Sequence, residues 1–149
     1  MRYIALCLAL CGPIATEIAQ AAPASENWTP TSRNAQTITG RVTFTPTQIS
    51  FQNGTSLPLV PGGQMLFRPE PKKKKVMADL YKVASPDDPV LENGNRLCKG
   101  KPVSYLIVWK SETIGHEADP RTLAPFCGKN LNAGSLDDCG RFVYDARIG

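Results

Sequence analysis

From residue 37 to residue 109, apolar and polar side chains alternate in short runs separated by Pro, Gly, Asn and Asp. Such alternation puts one side of a strand in a core and the other in water. In the run 37–44, Ile38, Val42 and Phe44 share one side, and Thr37, Thr39, Arg41 and Thr43 share the other. Thr45-Pro46 interrupts the run, and Ile49 and Phe51 resume its apolar side. Asn53-Gly54 then marks a hairpin. A two-residue loop there would turn Leu57 and Leu59 away from Ile49 and Phe51. A three-residue loop, 52–54, pairs Phe51 with Thr55 and Ile49 with Leu57, gathering the large apolar residues on one side. A slip of one residue exposes half of them. The expected turn is therefore type I with Gly54 left-handed, and Pro58 makes the following strand an edge or an irregular one.

Four further runs read as strands: 64–68, 76–83, 103–109 and 141–145. In 76–83 the residues Val76, Ala78 and Leu80 alternate with Lys75, Asp79 and mixed apolar positions. The run 103–109 is apolar on both sides, with Val103, Tyr105, Ile107 and Trp109 on one and Leu106 and Val108 on the other. A strand covered on both sides belongs at the centre of a sheet. Residues 111–140 have no period and read as a long irregular loop. Asp119-Pro120 there offers the cap and first residue of a helical turn, and Ser135 offers a second cap. Residues 22–36 are polar and aperiodic and read as a mobile N-terminal arm, with Trp28 pinning it to the domain.

The chain holds 13 prolines and 12 glycines in 149 residues, which suits short strands and many turns. No repeat and no long amphipathic helix is visible. The expected fold is all-β, a small antiparallel barrel or sandwich of about seven short strands, in a single domain over 37–149.

Residues 1–21 read as a secretory signal peptide: Arg2, an apolar run 4–10, and the small-x-small site Ala19-Gln20-Ala21. Export to a periplasmic or secreted location is the expectation. A lipoprotein anchor at Cys7 or Cys11 is the rival reading, but Leu10 stands directly before Cys11, where the lipoprotein peptidase needs a small residue. Removal of 1–21 leaves Cys98, Cys127 and Cys139. An oxidising compartment favours one disulfide among three pairings. Cys98–Cys139 is preferred, because both flank apolar runs able to neighbour each other, while Cys127 lies in a Pro-Phe-Cys-Gly turn.

The formal net charge is only +4, too mild for a nucleic-acid binder. Much of it sits in Lys72, Lys73, Lys74 and Lys75. His116 and the three cysteines have spacings too long for a zinc site, and no CxxC presents two sulfurs from one turn. Cys127 and His116 share the irregular stretch without a local catalytic signature. Asp87-Asp88 and Asp137-Asp138 are adjacent pairs, which on an extended chain point to opposite sides. They match no calcium loop. No nucleophile elbow, phosphate-cradling glycine loop or dinucleotide fingerprint is present.

These features imply binding rather than catalysis, with no cofactor, metal or catalytic residue assigned. The expected partner is an envelope or extracellular protein, or a small ligand in a barrel mouth. One alternative is an envelope-surface protein that meets anionic lipid or lipopolysaccharide through Lys72, Lys73, Lys74 and Lys75, with Lys99 and Lys101 extending the patch. The other is a small hydrolase or thiol enzyme built from 111–140.

Overall fold

The Asn53-Gly54 turn sets the first register as its chemistry requires. In the computed structural model, which describes residues 24–111 and 119–146, the Phe51 amide donates to the Thr55 carbonyl at 2.9 Å. Ile49 faces Leu57, and Gly54 takes φ +88°. Eight strands follow from such pairings: β1 Glu26–Pro30, β2 Val42–Thr45, β3 Gln48–Phe51, β4 Ser56–Phe67, β5 Val76–Asp87, β6 Val103–Lys110, β7 Pro120–Phe126 and β8 Phe142–Asp145. Each pairs antiparallel with the next, and β8 pairs back onto β1, so the sheet closes into a barrel. The all-β expectation holds, as a barrel rather than a sandwich and with eight strands rather than about seven.

Several local expectations are corrected. Residues 24–36 are not a mobile arm, because β1 closes the barrel between β2 and β8. Trp28 does more than pin it: its ring is buried at the core, stacked on Phe44 at 4.6 Å and tilted against Tyr144 at 5.5 Å. The strand expected from residue 37 starts only at Val42, after a π-helical turn over Ala35–Thr39. The Thr39 hydroxyl ties that turn to the Ala35 carbonyl at 3.0 Å and to the Tyr144 hydroxyl at 2.7 Å. Gly40 ends it at φ +62°, where a Cβ would also collide with the Gln52 side chain. Residues 120–126, expected in the irregular loop, form β7, and Asp119-Pro120 starts a strand, not a helical turn. Pro58 marks no edge, since a closed barrel has none. The signal peptide, Cys7, Cys11 and His116 lie outside the described residues.

Inside the barrel, Trp28, Phe44, Ile49, Leu57, Leu106 and Phe142 belong to one continuous core. Outside, β1 to β3 show Asn27, Thr29, Thr43 and Gln48 to water. A second apolar cluster lies on the outer wall. The hairpin β4–β5 runs 12 residues on each strand, and its pairing shifts between Pro61 and Gln64, at Gly62-Gly63. An extra residue in one strand bends and twists the ladder. Beyond it, Phe67 and Ala78 pack on Ile107, Trp109, Ala124 and Phe126. Strands β6 and β7 are thus covered on both sides, as the composition of 103–109 implies.

Candidate functional site

Large buried side chains pack inside the barrel, and a charged cluster links β7 to β1. Arg121, opposite Tyr144 in register, has a side chain only 9% exposed. It hydrogen-bonds Asp119 and lies 3.4 Å from Glu26. Glu26 also accepts the Trp28 indole N–H at 2.7 Å. The Arg121 hydrogen bond holds the Asp119 carboxyl below the usual carboxylate range. Burial, reinforced by Asp79 and Glu26, raises the nearby Tyr81 phenol. The Arg121–Glu26 contacts tie β7 to β1.

Three recesses border the tip of the β4–β5 hairpin, on the outside. The largest, about 600 Å³, lies between the tip and the barrel wall and is lined by Lys73, Lys74, Trp109, Lys110, Ser111 and Arg141 among others. Another, about 350 Å³, includes Lys75, Arg68, Leu66 and Leu131. The last, about 480 Å³, sits between Pro69 to Pro71 and Ala133 to Ser135.

Arg141 holds these walls together. Its guanidinium is bidentate to Asp138, at 2.7 and 3.0 Å, and donates to the Pro69 carbonyl of the tip at 3.3 Å. It also lies 5.5 Å from the Phe67 ring centroid and 5.8 Å from that of Trp109. Burial works to raise the Asp138 carboxyl; the bonds from Arg141 and from the Gly134 and Gly140 amides outweigh it and hold the group low. The tip therefore packs on the barrel as a fixed arm.

The four lysines of the run are all exposed, and Lys73 pairs with Glu70 at 3.0 Å. Lys73 and Lys74 line the largest recess, Lys75 lines the next, and Lys72 stands at the tip. Lys99 and Lys101 are also exposed but line none of the three recesses. They flank Gly100 in a turn that buried Asp88 organises, accepting amides of Leu97, Cys98 and Gly100 at 2.9, 3.0 and 2.7 Å. Asp137 and Asp138 likewise accept backbone amides within the 127–141 loop. Cys98 and Cys139 are joined as a disulfide, the preferred pairing, which ties the 96–101 turn to that loop. Cys127 is free and packs against the core. Among the described residues no three His, Cys, Asp or Glu side chains converge as a metal site would require.

Sequence reasoning found the lysines but not their neighbours. By sequence alone Trp109 belongs to a core strand and Arg141 to the last strand. Their part in the site depends on the hairpin lying against the outer wall, for which the adjacent Gly62-Gly63 was the available signal. The fold and site together define an eight-stranded antiparallel barrel with a cationic arm packed on its outer wall. No protein-family model, no curated protein and no solved structure matches the chain.

Proposed function

We propose that this is an exported, non-enzymatic binding protein, periplasmic or secreted, which takes an acidic partner at the tip of the β4–β5 hairpin. The observation that carries the reading is the placement of charge. Arg68 and Lys72 to Lys75, set against Glu70 alone, leave the 68–75 tip at +4, which equals the formal net charge of the whole chain. The rest of the chain balances to zero. Like charges concentrated on one arm attract an acidic partner over about a Debye length, ~8 Å at physiological salt.

Further support comes from what the other groups do. Asp88, Asp119, Asp137 and Asp138 are committed to backbone amides or arginines. Strand β7 takes up part of the stretch 111–140, in which a thiol or hydrolase site was conceivable. The Cys98–Cys139 disulfide fits an oxidising compartment. No helix among the described residues is long and apolar enough to cross a membrane.

The reading is tested by changing Lys72, Lys73, Lys74 and Lys75 together to Gln. The wild type should bind polyglutamate, a soluble acidic chain, at low salt, and the variant should bind it at least about tenfold more weakly, with little change in melting temperature. Equal binding by the two proteins, or none by the wild type to any acidic probe, refutes it.

A further inference from the structure

The chain exposes five large apolar side chains among its described residues; two of them lie on the hairpin next to the cationic tip, and a third follows a residue of the recess beside it. Leu66 is 60% exposed and Met77 56% exposed. They face each other across the hairpin, one residue short of the Phe67–Val76 pair. Because successive residues of a strand point to opposite sides, packing Phe67 and Ala78 on the barrel turns Leu66 and Met77 outward. The third, Leu136, is 94% exposed. It follows Ser135, which lines the recess beside Pro69 and Pro71.

Leu136 is not on a loose loop. The Asp138 amide donates to the Ser135 carbonyl at 3.1 Å, and the Ser135 amide to the Asn132 carbonyl at 3.1 Å. The Gly134 amide donates to the Asp138 carboxylate at 2.7 Å, and the Cys127 amide to the Asp137 carbonyl at 2.9 Å. The turn therefore holds a leucine in water at a fixed place. A single exposed apolar residue needs no explanation. Three on or beside an arm with four exposed lysines form a pattern with a physical use.

We propose that the hairpin tip and the neighbouring 132–136 turn dock on an anionic phospholipid surface. Leu66, Met77 and Leu136 enter the headgroup region, and Lys72 to Lys75 lie against the lipid phosphates. This rests on the acidic-partner reading and names the partner. A lipid surface suits the site better than an acidic protein does. The three apolar side chains come from two separate elements and are interspersed with charge, so they form no continuous patch for a rigid partner to cover. A fluid interface accepts each side chain where it stands. Peripheral binding also needs two weak signals together, an apolar insertion and a basic patch, since neither alone holds a protein firmly. The absence of an apolar spanning helix among the described residues is no obstacle, because such a surface is met from the water side.

Sedimentation with vesicles of phosphatidylcholine containing phosphatidylglycerol tests this, with pure phosphatidylcholine as the neutral control. The variants are the lysine-to-glutamine protein and a triple change, Leu66→Thr, Met77→Thr and Leu136→Ser. All three positions are exposed, so both proteins should keep the wild-type melt. The wild type should sediment with anionic vesicles and not with neutral ones. The triple variant should partition about tenfold less at physiological salt, while still binding polyglutamate like the wild type at low salt. If the triple variant partitions as the wild type does, or neutral and anionic vesicles bind equally, the lipid proposal fails and the acidic-partner reading survives on its polyglutamate result. If the lysine variant binds both probes as the wild type does, both readings fail.

Discussion

Ile107 shows how one position can be read from alternation and then weighed in the fold. It lies in a strand whose neighbours on both sides are apolar, and it is fully buried beneath Phe67 and Ala78 on the outer wall. Ile107→Ala should cost ~2–5 kcal/mol, because the cavity left under the hairpin adds to the lost transfer energy. Ser104→Ala, half-buried in the same strand, should cost well under half of that. Urea titrations of the two variants check the contrast; equal small effects would mean that the hairpin does not seal the outer wall. Trp28 makes a related point. A mobile arm would tolerate Trp28→Ala, whereas a core ring stacked on Phe44 should lose ~3–5 kcal/mol.

At the scale of elements, the 127–141 loop and the hairpin arm depend on each other through Asp138 and Arg141. The folded state holds the Asp138 carboxyl below its usual value, so the unfolded chain binds that proton more readily. Stability from this group is complete above the unfolded value, about pH 4. It is lost as pH falls through the lower folded value. Thermal melts from about pH 6 down to about pH 2 should show this acid limb, and Asp138→Asn should be less stable at neutral pH with a shallower fall. A variant whose melt falls as steeply as the wild type's would remove Asp138 as the source. Arg141→Ala should act on the same pair of elements, loosening the tip and lowering vesicle binding without touching a lysine.

At the scale of the whole molecule, the three cysteines among the described residues divide into two roles. The Cys98–Cys139 bridge closes a separation of 41 residues between a turn and a loop at the end of the barrel. Cys98→Ser should cost ~2–5 kcal/mol, and Cys127→Ser about 1 kcal/mol or less, since the half-buried Cys127 forms no bridge. Denaturant midpoints of the variants decide it. Comparable losses from both substitutions would point to a different pairing in solution.

The sequence by itself determined what depends on neighbours along the chain. Alternation marked β2 and β3, a continuous apolar run marked β6, and Asn53-Gly54 with the demand for a common apolar side fixed the β3–β4 register. The lysine run was plain, because four consecutive like charges cannot be buried together. Strand β7 was hidden because its residues are buried on both sides, so Pro120–Phe126 shows no alternation and carries two prolines. Strand β1 was hidden because five polar-looking residues give too short a period, and only Trp28 signalled it. Closure, and with it the choice of barrel over sandwich, is decided by β1 meeting β8, a pairing more than a hundred residues apart in sequence. The candidate site was half visible for the same reason. Its charge is local to 68–75, but Leu66, Met77 and Leu136 join it only because the hairpin bends at Gly62-Gly63 and lies on the wall. Gly62-Gly63 marks the bend locally, but where the bent hairpin comes to rest is set by packing between distant strands.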